Sequence, residues 1–124
     1  MLSGDFFYIT SLERAEGRIN AVLEINPNHK IFDGHFPGWP VVPGVCMMQV
    51  VKEILESALS KATRLINAGQ LKFLTVIDPR ETNTIHAELK YSQVDDGRIK
   101  VSAVLANGPV TYFKMNGVFL LPEN

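Results

Sequence analysis

The stretch from Gly34 to Gln49 reads GHFPGWPVVPGVCMMQ: three prolines, three glycines and one histidine, followed by an apolar run that ends on a glutamine. From Pro27 to Gly44 the chain carries four prolines and three glycines. Each proline fixes its φ and lacks an N–H, so this segment is predicted to be loop, neither a continuous helix nor a central strand. The loop ends where a helical pattern begins. In VCMMQVVKEILESALSKA, Val45–Ala62, residues Met47, Val50, Val51, Ile54, Leu55 and Ala58 recur at helical spacing. Gln49, Lys52, Glu53, Glu56 and Ser60 form the polar stripe. Pro43 and Gly44 stand at the start, where a missing N–H costs least.

Working outward, two β-rich segments precede the loop, FFYITSLERA and GRINAVLEIN, separated by a turn at Glu16-Gly17. In the second, Ile19, Ala21, Leu23 and Ile25 alternate with Arg18, Asn20 and Glu24, and Val22 breaks the pattern. Four strands are predicted after the helix: RLINAGQLKFLTVI, NTIHAELKYSQV, RIKVSAVLA and VTYFKMNGVFLL. Asp78-Pro79, Asp95-Asp96-Gly97 and Asn107-Gly108-Pro109 separate them with turn chemistry. The order gives an α+β fold, one long helix against a mostly antiparallel sheet, in a single domain spanning residues 1–124. One helix covers one sheet face and the edge strands need a partner, so a dimer is expected.

Composition narrows the class. The formal net charge is −1, which gives no global field for nucleic acid or an anionic membrane. The single cysteine, Cys46, excludes an internal disulfide and a multi-cysteine metal site, and it fits a cytoplasmic setting. The start, MLSGDFFYITSLERAEG, meets charge within a few residues, so neither a signal peptide nor a membrane span is expected.

GHFPGWPVVPGV resembles the signature loop of the 3-hydroxyacyl-acyl-carrier-protein dehydratases (FabZ/FabA-like), in which G-H-F-P-x-x-P-x-x-P-G-V enters a long central helix. Gly34, His35, Phe36, Pro37, Pro40, Pro43, Gly44 and Val45 match, and LKFLTVIDP is similar to the family's strand after the helix. The resemblance implies a hot-dog fold and dehydration of a 3-hydroxyacyl thioester to a trans-2-enoyl thioester, without cofactor or metal. It implies acyl carrier protein as partner and a homodimer, or a higher oligomer of dimers. In such a dimer His35 of one chain faces residue 49 of the other. The family places a carboxylate fourteen residues after the histidine; here that position is Gln49.

The chemistry needs a base for the C2 proton, a donor for the thioester oxygen and a proton for the departing hydroxyl. The resemblance assigns the base to His35 and the oxygen-binding N–H to Gly44. Val45, Phe36 and Met48 are the further expected substrate contacts. An amide cannot transfer a proton near neutrality, so Gln49 is expected to hold the hydroxyl or a water while His35 acts as base and acid. Two other readings stand beside this one: an acyl-thioester hydrolase in which Gln49 orients water, and a non-catalytic acyl-binding or heterodimer partner subunit.

Other candidates have plainer readings. Glu53, one turn beyond Gln49, can replace the missing acid or be a solvated helix glutamate. His29 and Asp33 precede the loop without a confirming metal spacing, and His86 alternates within a strand. Cys46 sits in the helix's first turn, where a lowered pKa competes with burial. Met47 and Met48 suit either an acyl tunnel or the core. Lys61, Arg64, Lys72 and Arg80 are expected to cluster around the helix exit and the following strand, facing an acidic carrier protein.

Overall fold

The computed structural model describes residues 2–34 and 41–122. The predicted base His35 and the predicted substrate contact Phe36 therefore lie outside the described residues. Eight elements follow in chain order: β1 Phe7–Ala15, β2 Arg18–Ile25, α1 Ile31–Gly34, α2 Gly44–Leu59, β3 Arg64–Phe73, β4 Thr84–Asp95, β5 Arg98–Asn107 and β6 Val110–Leu120. The strands form one sheet in the order β1-β2-β4-β5-β6-β3, with every neighbouring pair antiparallel.

The alternation read from the sequence builds the core. In β2, Ile19, Ala21, Leu23 and Ile25 are buried while Arg18, Asn20 and Glu24 face solvent. The hairpin turns fall where glycine permits them: Gly17 and Gly97 hold φ of 69° and 86°, left-handed backbone that other residues adopt only with strain. The helix α2 lays Cys46, Met47, Val50, Val51, Ile54 and Leu55 onto the sheet's inner face, among Leu23, Leu89 and Phe113. Burying one such aliphatic side chain is worth about 1.5–3 kcal/mol, so this stripe fixes where α2 lies. No helix among the described residues is long and apolar enough to cross a membrane.

Three local expectations are corrected. The helix ends at Leu59, before Ala62, because Ser60 turns left-handed at φ 55°. Its exit is satisfied from outside: Arg14 Nη1 donates to the Ala58 carbonyl, and Glu56 accepts the N–H and hydroxyl of Thr63. The third strand stops at Phe73, not Ile77, where the N–H groups of Leu74 and Thr75 both donate to the Tyr112 carbonyl and the chain leaves the sheet. The loop from Pro27 also contains the helical turn α1. His29 Nδ1 accepts the Ile31 N–H at its start, and Phe32 packs on Phe6 with ring centres 5.6 Å apart.

The sheet ends on β1 at one edge and β3 at the other. Near the β3 edge the chain exposes large apolar side chains: Ile66, Phe73, Leu74 and Val76, together with Val45 at the start of α2.

Candidate active site

The exit of the site loop is pinned before the helix begins. Val42 N–H donates to the Ile77 carbonyl at 2.9 Å, and Val41 and Val42 are buried. Pro43 is the N-cap, extended at φ −62° and ψ 145°, with no side-chain cap. Its carbonyl accepts the N–H groups of Cys46 and Met47. Among the described residues, no backbone group outside the helix accepts the N–H of Gly44 or Val45. These are the first-turn donors of a helix, at the positive end of its dipole.

Gly44 has a close neighbour. A Cβ built on it would stand 2.8 Å from Phe73 Cε1, and Phe73 stacks on Phe113 with ring centres 5.0 Å apart. Val45 is exposed, Met48 is half-buried against the core, and Met47 is buried within it. Gln49 is half-buried, five residues beyond Gly44. That spacing puts it about 7.5 Å along the axis and about 140° round it.

Glu53 does not belong to a solvated stripe. It is 1% exposed, and its carboxylate is surrounded by N–H donors. Leu2 N–H reaches Oε1 at 3.1 Å and Oε2 at 2.9 Å, Ser3 N–H reaches Oε1 at 2.8 Å, and Gln49 Nε2 donates to Oε2 at 3.0 Å. The segment supplying the backbone donors also grips the chain leading into the site loop. His29 Nε2 bonds Asp5 Oδ2 at 3.0 Å, Asn26 Nδ2 donates to the Asp5 carbonyl, and the Phe6 and His29 rings meet edge-on. With Nδ1 accepting from Ile31, His29 is the Nε2–H tautomer and serves as a structural clasp.

No cluster suited to a metal occurs among the described residues. Burial pushes the Cys46 thiol up, the opposite of what a helix start alone would do. His86 points outward from β4. The expected basic residues spread along β3 and beyond it and do not gather at one point. Arg64 and Lys72 sit toward opposite ends of β3, about 26 Å apart at strand rise. Arg80 is committed to Asp78, with Nε to Oδ1 at 3.1 Å and Nη2 to Oδ2 at 2.9 Å. A groove of about 780 Å³ lies at the other end of α2, lined in part by Arg14, Leu59, Lys61, Tyr91 and Arg98. Among the described residues, none of the predicted catalytic or substrate-contact residues lines it.

Glu53 is the residue whose setting the sequence hid. The Gln49–Glu53 spacing suits an i,i+4 contact, but the backbone donors that draw the carboxylate inward lie 50 and 51 residues away.

Against known proteins, the model of the ApeI-like family, described as ApeI dehydratase, matches residues 11–107. The chain belongs to the ApeI-like dehydratase family. The match takes in the loop, Gly44, Gln49 and Glu53. The chain is 31% identical over 100 residues to the 3-hydroxyacyl-acyl-carrier-protein dehydratase FabZ of Geobacillus sp. (strain WCH70), covering 80% of this chain but 64% of that protein. It is 26% identical over 107 residues to the FabZ of Ruminiclostridium cellulolyticum, covering 77% of this chain and 75% of that one. The fold is similar to that of the dehydratase heterocomplex ApeI:P from Xenorhabdus doucetiae, with a TM-score of 0.72, 19% identity and coverage of 90% and 96% of the two chains. The antiparallel sheet wrapped on α2 is the hot-dog fold, and the family is FabZ/FabA-like.

Proposed function

We propose that this ApeI-like protein dehydrates 3-hydroxyacyl thioesters carried on acyl carrier protein, acting in the cytoplasm as a homodimer or an oligomer of dimers. The observation that carries this reading is the family match running through GHFPGWPVVPGV into α2. The His35 imidazole takes the C2 proton. The first-turn N–H of Gly44 stabilises the charge that develops on the thioester oxygen, helped by the α2 dipole. The C2–H electrons form the C2–C3 double bond and the C3–O electrons leave with the hydroxyl. His35 returns its proton to that oxygen, and water departs. Gln49 holds the hydroxyl by a hydrogen bond.

The β3 edge, unpaired among the described residues, and the apolar side chains beside it support a second copy of the chain there. The separation of Gly44 and Gln49 around α2 fits a site completed by two chains. The names of the FabZ relatives support acyl carrier protein as the partner. A second reading has its own support: counted from His35, Gln49 falls where the resemblance leads one to expect a carboxylate, and the Xenorhabdus structure is a heterocomplex. In that reading the chain works with a relative that supplies the acid.

The test is incubation of the pure protein with 3-hydroxyacyl and trans-2-enoyl carrier-protein thioesters, followed by mass spectrometry. Loss or gain of water is the expected result. Release of free acid would replace the reading with thioester hydrolysis. No turnover alone, but turnover on adding a carboxylate-bearing relative, would favour the heterocomplex.

A further inference from the structure

A buried carboxylate is costly unless donors satisfy it. Among the described residues those of Glu53 are neutral: the backbone N–H groups of Leu2 and Ser3 and the side-chain amide of Gln49. None of the ion pairs among the described residues includes Glu53. This has a consequence for Gln49. An amide has a donor end and an acceptor end, whereas a carboxylate only accepts. Facing Glu53, Gln49 must turn its NH₂ inward, which directs Oε1 away from the carboxylate.

We infer that Glu53 is a positioning residue that fixes the Gln49 amide so that its carbonyl oxygen is the group offered to substrate. The inference rests on the dehydratase reading and specifies it. Gln49 then accepts a hydrogen bond from the substrate's 3-hydroxyl. With its hydrogen held by Oε1, that hydroxyl keeps its lone pairs for the proton that His35 returns. The C3–O bond breaks as the proton arrives, and the water leaves still bonded to Gln49. In the hydration direction the same oxygen orients the attacking water. The preferred ligand therefore brings an O–H donor at C3. The brace is shared, because the segment Leu2–Phe6 that seats Glu53 also clasps His29 through Asp5.

Three variants test this: Glu53→Gln, Gln49→Glu and the two combined. In Glu53→Gln the new amide gives its oxygen to the Leu2 and Ser3 N–H groups and turns its NH₂ toward residue 49. Gln49 must then reverse. The expected result is a fall in kcat of about 10²-fold, as for other small misplacements in an active site, with KM little changed. A readout independent of turnover is the Gln49 side-chain amide in ¹⁵N–¹H spectra. One hydrogen should be shifted downfield and exchange slowly in the wild type, and lose both properties in Glu53→Gln. Gln49→Glu alone sets two carboxylates about 3.0 Å apart and should lower the melting temperature. The double variant restores the pair with donor and acceptor exchanged. It should recover stability and exceed both single variants in kcat.

Unchanged kcat in Glu53→Gln, an unaltered Gln49 amide signal, or a double variant no better than the worse single would each overturn the inference. If the wild type turns over neither thioester, the dehydratase reading fails by itself. The amide signal and the stability rescue then still decide whether Glu53 sets Gln49.

Discussion

The ring of Phe73 fills the space beside Gly44: a Cβ at position 44 would stand 2.8 Å from Cε1 and 3.0 Å from Cζ. The close approach at the start of α2 is thus made by an aromatic side chain on β3, whose ring must shift if residue 44 carries a Cβ. Because Phe73 also stacks on Phe113, strand, ring and helix start are mechanically linked.

Gly44→Ala should therefore destabilise the fold. Overpacking costs about 1–3 kcal/mol, offset by up to about 1 kcal/mol from alanine's better helix propensity. The double variant Gly44→Ala/Phe73→Leu should lose less than the two single losses added together, since the clash is removed. Urea unfolding of the four proteins measures this. Strict additivity would mean that the ring swings clear and position 44 is not constrained by it.

Cys46 lies in the first turn of α2 with its thiol pushed up by burial. A raised pKa leaves less thiolate at neutral pH, and the core shields the sulfur. Reaction with a disulfide reagent at pH 8 should be at least about tenfold slower in the native protein than in urea. Native labelling as fast as in urea would show an open, reactive thiol instead of a core side chain.

Asp78 holds the turn after β3. It accepts the side-chain and backbone N–H groups of Arg80, while its own carbonyl accepts the N–H groups of Glu81 and Thr82. The Arg80 hydrogen bonds hold the Asp78 carboxyl below its usual range. A depressed native pKa adds stability that is fully present above the unfolded pKa, and it is lost as pH falls through the native value. Asp78→Asn should be less stable than wild type above about pH 4. The difference should shrink as the solution is acidified below that. A gap that widens in acid would contradict the pairing.

Much of the fold was legible because its determinants are local. The alternation Ile19, Ala21, Leu23, Ile25 marks an inner face, Gly17 and Gly97 mark turns, and the stripe Met47–Val50–Val51–Ile54–Leu55 marks the packed side of α2. What was not legible depends on residues far apart in the chain. Glu53 has the residue type and spacing of a solvated position, and only Leu2 and Ser3, folded back against the helix, make it a buried acceptor. Arg80 and Lys72 look like neighbours in sequence. The first is paired with Asp78, and the second stands eight residues from Arg64 along β3, so the four expected cations do not gather in one place. Strand order is equally non-local, since β3 pairs with β6 across two intervening strands in the chain.

If β3 edges bring two copies together, an isologous dimer holds two equivalent sites, each taking His35 from one chain and Gln49 from the other. His35→Ala and Gln49→Ala should each be nearly inactive as pure proteins. Unfolded together and refolded, they form mixed dimers in which one site has lost both residues and the other has both. With random pairing, about a quarter of wild-type turnover should return. A charged substitution on the exposed edge, Ile66→Glu, should shift the protein toward monomer in sedimentation and remove the recovered activity with it. Recovery that fails while mixed dimers form would place His35 and Gln49 of the same chain in one site. Activity that persists in an Ile66→Glu monomer would do the same, and the free β3 edge would then have no part in the chemistry.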